Sequence, residues 1–170
     1  MTKRDRRIVA CLNRHGIVYP RTTLRLARRV NHETSKMPLA RACALLDQES
    51  AGGHNVFGHD PVQSIVGGRV TRARYLYYKA RRKAGLGMQG VGGLQLTWYE
   101  FQDDADRRGG CWRANISMYV GLSIAANLIR AKGYLAGIAA YNGSGSVAQH
   151  YANTVAQRER AWRRILEREV

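Results

Sequence analysis

Cysteine is scarce in this sequence. Cys11, Cys43 and Cys111 are three residues among 170, odd in number and without a C-x-x-C pair. That count excludes a disulfide-stapled scaffold and points to reduced, mostly buried thiols. Proline is rarer than usual, with 3 residues, and neither an internal repeat nor a low-complexity linker divides the chain. A single compact domain over residues 1–170 is therefore expected. No run approaches the roughly 18 consecutive apolar residues of a membrane span. Near the start only Ile8-Val9-Ala10-Cys11-Leu12 is apolar, too short for the central region of a secretory signal. A protein of this kind that acts outside the cytoplasm needs another way out.

Acids are also few: 12 against 28 lysines and arginines, a formal net charge of +16. Such a field draws polyanions, whether nucleic acid, anionic lipid or the phosphate- and carboxylate-bearing polymers of a bacterial wall. Seven of the 12 acids fall within residues 41–110, against the trend of the rest of the chain. Acids concentrated in a basic protein make that segment the place to look for chemistry.

Helical periodicity fills most of the sequence. Ile8, Cys11 and Leu12 give a first helix its inner face, with Gly16 at its end. Thr22 or Thr23 opens a second helix that runs to about Val30. Pro38 suits the first turn of a third, stopped by Gly52-Gly53. Thr71 caps a basic helix over 72–84, with Ala73, Leu76, Tyr77, Ala80 and Ala84 as its apolar stripe. Residues 88–98, with three glycines, predict a short hairpin or an extended turn. Thr97-x-x-Glu100 and Ser146-x-x-Gln149 read as capping boxes for two later helices. Between those lie a long apolar helix over 117–131 and a short one over 134–141. The last helix carries Val147, Tyr151, Val155, Trp162, Ile165 and Leu166 on its apolar side. The fold class is mainly α, a helical bundle with one small irregular β element in the middle.

Glu49 stands out. Ala42, Leu45, Leu46 and Glu49 share one helical face, so the carboxylate sits on the apolar stripe and in the last turn. Burial and the negative helix end both disfavour the charged form and raise the pKa. A carboxylic acid kept protonated near neutrality is what protonation of a glycosidic oxygen requires. The alternative is a Glu49 paired with one of the many arginines. Asp47, two residues earlier, is expected to point elsewhere and be solvated.

Three motifs follow in order: Glu49-Ser50-x-Gly52, Gly92-Gly93-Leu94-Gln95 and Ala140-Tyr141-Asn142-Gly143. Together they resemble the signature of the lysozyme-like superfamily, as found in soluble lytic transglycosylases and goose-type lysozymes. Asn55-Val56-Phe57-Gly58-His59-Asp60, Gly90-Val91-Gly92-Gly93-Leu94-Gln95-Leu96-Thr97-Trp98 and Tyr141-Asn142-Gly143-Ser144-Gly145 are similar, more narrowly, to the muralytic domains of endolysins from phages of actinobacteria. The likeness lies in residues 36–170, with the N-terminal helices of 1–35 ahead of it. One departure is Leu94, where transglycosylases usually carry a methionine, a small change in volume.

The resemblance implies an α+β lysozyme-like bundle around a catalytic helix end, with the 88–98 element lining a sugar groove. It implies cleavage of the β-1,4 bond between N-acetylmuramic acid and N-acetylglucosamine, by hydrolysis or by transglycosylation to a 1,6-anhydro product. Glu49 corresponds to the acid. Gln95 and Thr97 would line the groove, Tyr141 would place its hydroxyl near the Glu49 carboxyl, and Asn142 would contact substrate. Asp60, rather than Glu100, Asp103 or Asp104, is the preferred water-positioning base, although Asp60-Pro61 equally suits a turn opener. Glu100 is assigned to its capping box. The implied partners are peptidoglycan strands and anionic wall polymers, met by a monomer. The implied location is the host cytoplasm before release to the wall, or a virion.

Other constellations are weaker. His54, His59 and Asp60 match no standard zinc spacing, so neither metal nor cofactor is expected. A cysteine nucleophile is formally available in Cys11 or Cys111, but Cys11 lies mid-helix on an apolar face. The Arg72-to-Lys83 run, basic residues interleaved with tyrosines, keeps a non-catalytic nucleic-acid or wall-binding module as the runner-up. It matches no DNA-reading module.

Overall fold

A computed structural model describes residues 1–58 and 67–170. Among them the chain forms eight helices: α1 (Lys3–Arg14), α2 (Pro20–Thr34), α3 (Leu39–Ser50), α4 (Arg72–Lys83), α5 (Tyr99–Arg107), α6 (Ala114–Lys132), α7 (Tyr134–Asn142) and α8 (Gly145–Glu169). The mainly α class holds. Among the described residues no helix is long and apolar enough to cross a membrane.

The apolar residues make two cores. The larger joins α1, α2, α3, α6, α7 and α8. At its centre is α3, whose Ala40, Ala42, Cys43, Ala44, Leu45 and Leu46 are all buried. A helix apolar nearly all round belongs inside, and α3 packs along α8 on one side and α2 on the other. The smaller core gathers Phe57, Val70, Tyr75, Tyr78, Val91, Leu96, Ala105, Cys111 and Val120, under the loop after α3, α4 and α5. All three cysteines are free and buried, as their contexts required.

Several local expectations are corrected. The stripe on α4 faces outward: Leu76 is 47% and Tyr77 56% exposed. Tyr75 and Tyr78 turn inward instead, because their rings fill the space against Phe57 and Trp112 and their hydroxyls find partners there. Tyr75 donates to Asp106, and Tyr78 receives the Gln89 amide at 2.9 Å. Helix α2 begins at Pro20, whose missing N–H costs nothing in a first turn, and continues to Thr34. Neither capping box forms. The Thr97 hydroxyl donates to the Gln95 carbonyl, so α5 starts uncapped at Tyr99. Ser146 already lies inside α8, and Val147 is 74% exposed.

No strand forms among the described residues; only isolated antiparallel bridges occur, Val56 with Arg69 and Phe57 with Val91. Residues 88–98 hold an extended turn. Val91 and Leu96 exchange backbone hydrogen bonds of 3.1 and 3.0 Å around Gly92-Gly93-Leu94-Gln95.

Candidate active site

The site forms where the end of α3 meets that turn. Ser50 donates to the Gly93 carbonyl at 2.7 Å, pinning the last residue of α3 to the turn. A Cβ on Gly93 would stand 3.0 Å from the Gly53 carbonyl oxygen, tighter than an ordinary contact, so glycine suits this close approach. Ala51, at φ 51, ends α3 in the left-handed region just beyond Glu49.

Glu49 lies half-buried on the face of α3 that looks toward α8. Its Oε1 accepts a hydrogen bond from the Tyr151 hydroxyl of α8. Among the described residues no lysine, arginine or histidine is within ion-pair distance of it. Burial raises its pKa from the ordinary 4.5 to about 7, and the tyrosine bond offsets only part of that rise. The carboxyl is thus poised between its two forms at neutral pH.

Tyr141 lies near Glu49 but does not bond to it. Its hydroxyl donates to the Leu94 carbonyl at 2.7 Å rather than to Glu49. Burial pushes its pKa well above the ordinary value, with the nearby Glu49 charge adding to the effect. Tyr141 therefore ties α7 to the turn, while Tyr151 holds the Glu49 carboxyl. Tyr151 was legible in the sequence only as a core residue of the last helix. Its partnership with a residue 102 positions away leaves no local signal.

Gln95, Thr97, Tyr141 and Asn142 do come together. With Met88, Leu96, Trp98 and Phe101 they line a cleft of about 260 Å³. Its walls come from both cores: the turn and α5 on one side, the end of α7 on the other. Gln95 stands at φ 47 and turns its side-chain amide back into the turn, donating to the Gly92 carbonyl at 2.7 Å and the Val56 carbonyl at 3.2 Å. Much of its polarity is therefore spent on holding the turn. Trp98 is 58% exposed at the cleft, a flat apolar surface the motif reading did not assign. Glu49 is not itself in the cleft wall; Tyr141 is the residue common to both neighbourhoods.

Two other candidate carboxylates are paired with arginines. Asp103 pairs with Arg82 at 2.6 Å, and Asp104 with Arg108 at 2.9 Å. Glu100 is exposed at the start of α5, without its expected box. Asp47 is not solvated: it is half-buried, accepts from the Trp162 indole at 2.5 Å, and its pKa is raised by burial. Asp60 and His59 lie outside the described residues. Comparison with known proteins adds nothing to this geometry, since no family model, curated protein or solved structure matches the chain.

Proposed function

We propose that this protein is a lysozyme-like glycosidase that cuts the β-1,4 bond between N-acetylmuramic acid and N-acetylglucosamine in peptidoglycan, with Glu49 as general acid. One observation carries the reading: a half-buried carboxyl with its pKa near 7 and, among the described residues, no cationic partner, beside Tyr141, which with Gln95, Thr97 and Asn142 walls a cleft. The order of the three motifs along the chain supports it independently.

In this mechanism protonated Glu49 gives its proton to the glycosidic oxygen as the C1–O bond breaks and positive charge develops on the sugar ring. The bond electrons leave with the alcohol. Water then adds to C1 in a hydrolase, losing a proton to the site. In a transglycosylase the sugar's own 6-hydroxyl closes onto C1 instead. Tyr151 fixes the orientation of the acid without adding charge, and Trp98 offers a sugar ring an apolar face. The net charge of +16 would hold the enzyme to an anionic wall.

The test is digestion of purified peptidoglycan followed by mass spectrometry. Muropeptides with a reducing muramic acid end identify hydrolysis; products lighter by one water identify transglycosylation. Intact glycan strands after exhaustive incubation would refute both. Asp60→Asn separates the two chemistries further, because a transglycosylase has no attacking water to position.

A further inference from the structure

A cluster outside the cleft lining has no part in that chemistry. Cys11 and His15 stand four residues apart at the end of α1, and the end of α8 brings Glu169 beside them. One ligand atom from each residue lies within 4.8 Å of the other two. His15 Nε2 is already 2.8 Å from Glu169 Oε1. We propose that Cys11, His15 and Glu169 form a zinc site that clasps the first helix to the last.

The residue types and their placement both favour zinc. Thiolate, imidazole and carboxylate are its ordinary ligands, and a ligand pair spaced i, i+4 on a helix points to one side. In a tetrahedral site the ligand atoms stand about 3.3–3.8 Å apart, given metal–ligand bonds of about 2.0–2.3 Å. The His15–Glu169 contact must open slightly and the thiol must draw in by about 1 Å, movements within side-chain reach. Cys11 is buried, whereas His15 and Glu169 keep 33% and 25% of their side-chain surface exposed, so the ion enters from their side. Solvent water takes the fourth position. Binding releases the Cys11 thiol proton to solvent, and the neutral His15 ring offers Nε2 to the metal while carrying its proton on Nδ1. Arg14, 2.7 Å from Glu169 Oε2, remains on the outer carboxylate oxygen and orients it. The edge of Trp162 against the His15 ring, at 5.9 Å between centroids, holds the imidazole in place. Linear spacing could not reveal this site, because Glu169 joins the pair from 154 positions away.

The experiment uses the full chain, stripped with chelator, and titrates it with Zn²⁺ alone while following thermal unfolding. Co²⁺ then serves as a spectroscopic substitute. The expected result is one ion per chain, and a midpoint raised by about 5–10 °C at a hundredfold excess over the dissociation constant. A thiolate-to-cobalt charge-transfer band should accompany it. Cys11→Ser and His15→Gln should each abolish the shift, measured from the variant's own metal-free midpoint, while His32→Gln keeps it. Should Cys11→Ser fold poorly, His15→Gln at the partly exposed helix end carries the test. No shift in the parent chain, or a cobalt band that survives Cys11→Ser, overturns the proposal. Wall digestion is scored separately, so the zinc site and the glycosidase reading stand or fall apart.

Discussion

Helices α3 and α8 exchange two glutamates, one at each end of their contact, and the two carboxyls end with opposite proton affinities. At the start of α3, Arg41 reaches across to Glu159 of α8 at 2.8 Å. At the far end, Glu49 of α3 takes the hydroxyl of Tyr151 from α8. Each glutamate has a tyrosine, since Tyr134 donates to Glu159 at 2.7 Å. Glu159 is only 2% exposed, and its burial alone would raise its pKa. Yet Arg41 and Arg163, with Tyr134, outweigh burial and bring it below the ordinary value. Glu49 has burial and a tyrosine but no arginine, and it rises. Among the described residues, what Glu159 has and Glu49 lacks is a cationic partner. The arginine pairing that Glu49 might have had exists in this protein, one helix contact away.

Substitutions can break the comparison from either end. The largest effect is expected from Glu49→Gln, which should slow release of fragments from purified peptidoglycan by about 10²–10⁴-fold with no loss of fold. The matching change, Glu159→Gln, should leave the pH dependence of digestion alone and cost stability. Removing one partner of a buried pair strands Arg41, so chemical denaturation at pH 7 should show a loss of about 3 kcal/mol. That contribution is present above pH 4.5 and fades as pH falls through the lowered native pKa of Glu159.

Glu49 should act with the opposite sign. Its native pKa lies above its unfolded one, so the parent chain is least penalised below pH 4.5 and loses stability as pH rises to about 7. Set against Glu49→Gln across that window, the parent should lose on the order of 3 kcal/mol in denaturant titrations. The smallest effect sharpens the role of the tyrosine. Tyr151→Phe removes a bond that favours the ionised form, so the alkaline limb of the digestion profile should move up by about one pH unit. Its stability should fall by about 1 kcal/mol.

Local sequence placed Glu49 well and its surroundings poorly. Glu49 was legible because a four-residue helical pattern placed it on one face with Ala42, Leu45 and Leu46. The cleft residues were legible as a set only through motif resemblance. What escaped was everything decided by contacts across the chain. Tyr151 holds the Glu49 carboxyl from the far helix. Trp162 draws Asp47 out of solvent. The smaller core chose the bulky Tyr75 and Tyr78 over the tidier stripe of Leu76 and Tyr77. The two capping boxes failed for a local reason that spacing does not record: a turn carbonyl captured Thr97, and α8 began one residue before Ser146. Asp60, the remaining carboxylate of the proposed mechanism, lies among the residues not described.

The most direct test of the account is a pH titration of the Glu49 side-chain carboxyl by carbon-13 NMR, assigned with Glu49→Gln. The account predicts a midpoint close to 7 for this group, well above that of Glu159 in the same spectra. A Glu49 midpoint at or below the ordinary 4.5 would contradict it.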